Sequence, residues 1–180
     1  MNIWNQDKYI KAWNFACFAH EGQLLPGTTI PYINHIANVS MEVMAAIVQS
    51  KNIHNPNLLV QCALLHDVIE DTKNTYDDIK EEFGSDVANG VLALSKNVNL
   101  SSKSEQMINS LERIKKQPVE VWMVKLADRI TNLQPPPNYW NKEKINNYRQ
   151  EAILILESLC VANPYLAKRM QIKISAYKRY

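Results

Sequence analysis

Glycine is scarce in this 180-residue chain, with only four present, and no stretch of strand length alternates apolar with polar residues. Hairpins and sheets draw on both features, so the pattern argues against a β-rich fold and predicts an all-α domain. Cysteine is sparser still. The three present, Cys17, Cys62 and Cys160, are scattered through apolar contexts without metal-type spacing. An odd, dispersed set predicts free thiols in a reducing, cytoplasmic setting. No apolar run approaches the ~20 residues that cross a bilayer. Met1 to Asp7 lacks a basic segment followed by an apolar one, so no secretory leader is expected. The formal net charge of +2 is too small for a nucleic-acid footprint. The basic cluster of Lys168, Arg169, Lys173, Lys178 and Arg179 reads as a solvated helix face.

What is present is an ordinary globular composition, 46% hydrophobic and 21% charged. That suits one domain with a real core, expected to span residues 1–180. Apolar periodicity divides the chain into about nine helices. The first runs from Asp7 to Glu21 and is followed by a loop broken by Pro26, Gly27 and Pro31. A second is capped by Asn34 and reaches Ser50. Pro56 opens a third, Thr75 a short fourth, and a fifth ends near Ser95. Past a polar loop over 96–104, a sixth ends at Lys116 and a seventh runs from Pro118 to Leu133. Pro135, Pro136 and Pro137 form a stiff spacer. Two more helices, Lys142 to Ala162 and Pro164 to Tyr177, complete the set.

The third helix carries the most informative feature. In Ala63-Leu64-Leu65-His66-Asp67-Val68-Ile69-Glu70-Asp71-Thr72 an apolar run leads straight into four ionisable side chains. Burying an unpaired carboxylate costs several kcal/mol or forces it to take up a proton. A divalent cation removes that penalty, since carboxylate and neutral imidazole both ligate it. On a continuous helix His66 stacks over Glu70 and Asp67 over Asp71. The adjacent pair diverge by roughly 100° yet reach one ion off the helix edge. The competing reading is an exposed acidic helix end with a satisfied histidine. Further ligands must come from elsewhere. His35 follows Pro31-Tyr32-Ile33-Asn34 at a helix start, where a side chain points into a cleft. Asp128 is embedded in Val124-Lys125-Leu126-Ala127-Asp128-Arg129-Ile130, either as a ligand or as a partner of Lys125 or Arg129. His54, in a polar turn, and His20, at a helix end, are weaker candidates.

In order, His35, His66-Asp67 and Asp128 resemble the H…HD…D signature of HD-domain metal-dependent phosphohydrolases. The chain is more specifically similar to the small alarmone hydrolases and to the hydrolase domain of the bifunctional stringent-response enzymes. Matching segments are Ala19-His20-Glu21-Gly22-Gln23, Pro31 through His35, Ala63 through Thr72, Phe83-Gly84, and Val124 through Arg129 with Asn132-Leu133. The resemblance implies a helical HD bundle in which His35, His66, Asp67 and Asp128 hold one ion, usually manganese. It makes Glu70 and Asp71 the catalytic pair that orients and activates water. Asn132 and Tyr148 then contact substrate, unless Asn132 is only a helix cap and Tyr148 only a buried aromatic. The implied reaction removes the 3′-pyrophosphate of guanosine 3′,5′-bispyrophosphate, giving GDP or GTP and pyrophosphate. Lys125, Arg129, Lys96 and Lys103 are the cations available to a polyphosphate.

One departure stands out. The family's loop before Pro-Tyr-Ile-x-His typically carries an arginine that contacts the base, and often a second basic residue. Here Gln23 to Ile30 has no positive charge. Arginine stacking contributes ~1–2 kcal/mol when desolvated, so base preference shifts toward adenine alarmones, NADPH or another nucleotide, with Leu25 as an apolar wall. A non-catalytic nucleotide-binding scaffold is the alternative class, and the Glu70-Asp71 pair argues against it. The family's synthetase partner domain is not expected, leaving a stand-alone hydrolase. Trp4, Tyr139, Trp140 and Tyr180 are candidate exposed aromatics for a homodimer contact.

Overall fold

The structure, a computed structural model, describes residues 4–50 and 52–180. Met1 to Ile3, read above as part of a segment without a leader pattern, lie outside the described residues. No sheet forms among the described residues; a single isolated antiparallel bridge joins Leu24 to Pro31. The elements are α1 (Gln6–Ala19), α2 (Ile33–Gln49), α3 (Pro56–Leu65), α4 (Val68–Asp71), α5 (Tyr76–Phe83), α6 (Ser85–Leu94), α7 (Lys103–Lys115), α8 (Val119–Asn132), α9 (Lys142–Leu159) and α10 (Pro164–Ala176). Short 3-10 turns follow α9 and α10. The all-α expectation holds. The third expected helix is broken at His66-Asp67 into α3 and α4.

α3 is the central element and packs against α1, α2, α6 and α8. Every residue from Leu58 to Leu65 is buried. A helix apolar on all sides belongs in the middle of a core, and this composition puts it there. α8 packs against α2, α3, α9 and α10 and buries most of its length. Gly90 sets the approach of α6 to this centre. A Cβ there would lie 2.7 Å from Cys62 Sγ and 3.0 Å from Val121 Cγ2.

Local chemistry explains where the helices begin. Asn5, Asn55, Ser102, Asn141 and Asn163 each accept a backbone N–H in the first turn that follows. Thr75 and Asp78 form a reciprocal capping box. Asn34 does not cap α2. That helix starts one residue earlier with Tyr32 already in helical conformation, and Asn34 Oδ1 accepts from Asn38 Nδ2 inside it.

Two buried acids hold distant segments together. Glu120 Oε1 accepts from the backbone N–H groups of His54 and Asn55 at 3.1 and 2.8 Å, pinning the start of α3 to α8. Glu42 on α2 receives both Nε and Nη2 of Arg169 on α10 at 2.5 Å. Arg169 therefore leaves the solvated basic face expected for it. All three cysteines are free. No helix among the described residues is long and apolar enough to cross a membrane. Of the aromatics expected to be exposed, only Tyr139 is; Trp4, Trp140 and Tyr180 are partly buried.

Candidate active site

His66 and Asp67 occupy the joint between α3 and α4, where both stay near helical conformation without continuing the helix. The Asp71 N–H still donates to the Asp67 carbonyl at 2.8 Å, so that pair keeps the expected four-residue relationship. His66 and Glu70 do not. The imidazole turns inward while Glu70 turns to Lys96, whose backbone N–H and Nζ donate to its two oxygens at 2.7 and 2.5 Å.

His35, in the first turn of α2, brings its Nε2 to 3.2 Å from His66 Nε2. Asp128 on α8 places Oδ1 3.5 Å from His35 Nε2 and 3.9 Å from His66 Nε2. Donor atoms of His35, His66 and Asp128 all lie within 4.8 Å of one another, and all three residues are buried. Asp67 falls outside that mutual set, yet its Oδ2 is 2.9 Å from His66 Nε2 and 3.6 Å from His35 Nε2.

Hydrogen bonding fits this donor set to a cation. His66 Nδ1 lies 2.9 Å from the Ala63 carbonyl, an acceptor only, so Nδ1 carries the proton and Nε2 turns toward the cluster. Neighbouring ligands of a six-coordinate ion held at ~2.1 Å sit about 3 Å apart, close to the separations found here. Burial pulls the His66 pKa down, but Asp67 and Asp128 outweigh it and raise it to about 9. Burial pushes the Asp67 carboxyl up, yet His66 and His35 hold it below the usual carboxylate range. Burial likewise opposes ionisation of Asp128, and Lys125, His35 and His66 overcome it, holding that carboxyl well below its ordinary value. The pocket therefore attracts positive charge to the point where the imidazoles and carboxylates meet.

Surrounding groups hold the carboxylates. Tyr32 Oη donates to Asp67 Oδ2 at 2.5 Å and lies 3.4 Å from Asp71 Oδ2. Burial, then Asp67, pushes the Tyr32 pKa far up, so the hydroxyl keeps its proton and donates. Lys125 Nζ donates to Asp128 Oδ2 at 3.2 Å, and Asn132 Nδ2 to Asp128 Oδ1 at 2.5 Å. Asp71 is raised by burial, then by Asp67 and Glu70, with Lys96 and His20 opposing.

A cleft of about 1100 Å³ opens beside the cluster. It is lined by His66, Asp67, Glu70, Asp71, Lys125, Asp128, Arg129, Asn132 and Tyr148, with Lys96 and Lys103 also along it. His35 is not among the lining residues. Arg129 stacks its guanidinium 4.3 Å over the Tyr148 ring and donates to Glu151, while its buried Nε has no partner. Burial pushes the Tyr148 hydroxyl up to about 12, with Arg129 opposing. Leu25, expected as an apolar wall, does not line the cleft; Tyr139 does, and its ring lies against Gly27 of the charge-free loop. Sequence reasoning missed Tyr32 and Gln23 as supports of the acids, although both lie in quoted segments. Tyr32, three residues before His35, had the helical spacing to signal it.

Residues 12–164 match the family described as HD domain. The chain belongs to the HD-domain family. A Drosophila melanogaster guanosine-3′,5′-bis(diphosphate) 3′-pyrophosphohydrolase, MESH1, is 30% identical over 171 residues, covering 91% of this chain and 90% of the relative. The bis(diphosphate) 3′-pyrophosphohydrolase of Haemophilus influenzae is 38% identical over 122 residues, 64% of this HD chain and 17% of that much longer protein. A solved structure of a metazoan ortholog of SpoT, described as hydrolysing ppGpp, superposes with a TM-score of 0.82 at 26% identity. The superposition covers 97% of this HD chain and 98% of that one.

Proposed function

We propose that residues 1–180 form one HD phosphohydrolase domain acting in the cytoplasm as a nucleotide 3′-pyrophosphohydrolase. Its substrate class is guanosine 3′,5′-bispyrophosphate or a near relative, as the names of its relatives suggest. The observation that carries this reading is the convergence of His35, His66 and Asp128 at the edge of a nucleotide-sized cleft that also holds Glu70 and Asp71. His35, His66, Asp67 and Asp128 would hold the divalent cation, taken as manganese. When bound, that ion supplies a Lewis acid for a phosphoryl oxygen and lowers the pKa of water.

The chain's own residues do the rest. Glu70 and Asp71 together aim the water and accept its proton; burial and acidic neighbours raise Asp71 above its ordinary value. The oxygen of water bonds to the 3′ phosphorus as the bond to the ribose 3′ oxygen breaks. The acid pair takes the water proton and a proton is returned to the ribose 3′ oxygen, so that GDP or GTP and pyrophosphate separate. Arg129 and Lys125, with Lys96 and Lys103 toward the rim, balance polyphosphate charge. Asn132 and Tyr148 hold the nucleoside side.

A preference for another base is favoured by one feature: residues 23–30 carry no positive charge. The deciding experiment incubates the protein with Mn²⁺ and guanosine and adenosine 3′-pyrophosphates, NADPH and deoxynucleotides, following pyrophosphate and phosphate. Pyrophosphate release from a 3′-pyrophosphate is the expected result. Release of phosphate from NADPH alone moves the substrate class, and no release from any of them leaves the nucleotide-binding scaffold.

A further inference from the structure

α4 is a single turn, and a turn that short does not hold its shape unaided, because nucleation fixes several residues for its first hydrogen bond. Glu70 and Asp71 are held on it by the side chain that closes the turn and by others reaching in from elsewhere. Thr72 Oγ1 donates to the Val68 carbonyl at 2.7 Å, and Lys96 grips Glu70. On the other side stands Gln23, from the loop after α1. Its Nε2 donates to the Asp71 carbonyl at 2.6 Å, satisfying one of the orphan acceptors at the end of the turn.

The Gln23 amide can face only one way. The Asp71 carbonyl accepts and never donates, so the amide nitrogen must point to it. Oε1 then faces His20 Nδ1 at 2.6 Å, which requires the proton on Nδ1. The opposite tautomer would set two acceptors against each other. The His20 ring also leans on Tyr32, with centroids 5.0 Å apart, and Tyr32 donates to Asp67. His20 is buried, and its Nε2 has no partner. An unmet buried acceptor is destabilising, and an apolar side chain would avoid that cost. Stability alone does not call for a histidine here.

We infer that His20 and Gln23 are positioning residues for Asp71. Nδ1–H of His20 orients the Gln23 amide, and the amide N–H fixes the carbonyl end of the turn that bears the acid pair. Neither residue lines the cleft, so neither acts by touching substrate. The inference rests on the reading of Glu70 and Asp71 as the groups that handle water.

The test compares wild type with Gln23→Ala, His20→Ala and His20→Asn, measuring kcat, KM, ion affinity and Tm. Asparagine places an amide N–H where the imidazole Nδ1–H lies and preserves the relay. Both alanine variants should lose kcat by ~10–100-fold with KM and ion affinity within about twofold, a split expected of misplacement rather than lost binding. His20→Asn should recover most of that loss. Wild-type kcat in Gln23→Ala, equal damage in His20→Asn and His20→Ala, or losses that follow ion affinity or Tm would overturn the inference. Long-range ¹H–¹⁵N NMR on the wild-type protein reads the His20 tautomer without any substrate. The Nδ1–H form is expected, and an Nε2–H form overturns the relay. Wild-type protein that shows the Nδ1–H form but releases no pyrophosphate overturns the hydrolase reading instead, and with it the positioning role.

Discussion

The ring nitrogens of His35 and His66 face each other at 3.2 Å, although 31 positions separate the two residues in the chain. A divalent ion bound at that meeting point stabilises only the folded protein. At a concentration of ~100 Kd it adds about 2.7 kcal/mol, roughly 5–10 °C in Tm for a chain of this size. Scanning fluorimetry with added Mn²⁺, and again after EDTA, should show the rise and its reversal. In His66→Ala the response should vanish; an equal rise in that variant removes His66 from the ligand set.

Glu70→Gln and Asp128→Asn should fail in different ways. The first keeps the side chain's size and its bond from the Lys96 backbone. Its kcat should drop by ~10²–10⁴-fold while ion affinity holds. The second should lose ion affinity and turnover together. Calorimetric titration beside turnover separates the two, and the reverse pattern would exchange the roles assigned to these acids.

Gly90→Ala tests how tightly α6 lies on the centre. Alanine gains up to ~1 kcal/mol of helix propensity. Its methyl group, however, must displace Cys62 Sγ and Val121 Cγ2 in a closed core, and overpacking of this kind costs about 1–3 kcal/mol. The denaturation midpoint should fall, and Cys62→Ala in the same protein should restore part of it. A raised midpoint would mean that α6 shifts freely.

Arg169→Met leaves Glu42 buried without its partner. Because the arginine side is partly exposed, a loss of about 1–3 kcal/mol is expected, short of the full cost of stranding a charge. Changing both residues to Met should be milder than the single change. Urea denaturation of the two variants and wild type gives the comparison.

Much of the architecture was readable because local signals agreed: prolines at helix starts, Thr75 at the head of a short helix, polar loops and an apolar run before His66. The split at His66-Asp67 was not readable. No glycine or proline marks it, and it arises where Tyr32 and His35, more than thirty residues away in sequence, meet these side chains. Asn34 misled for a related reason, since the chain enters helical conformation at Tyr32 before a cap is needed. Arg169 looked like surface charge because its partner is 127 positions away. The candidate ligands were legible as ionisable residues in apolar runs. Their mutual distances were not, because three separate elements set them.

The burial of α3 on every side carries a consequence for how this enzyme class diversifies. His66 and Asp67 hang from the most deeply buried strut in the fold, whereas Tyr139 and the uncharged loop around Gly27 belong to surface connections. Exchanges at that rim would alter which compound fits the cleft before they disturbed the buried donors beneath it.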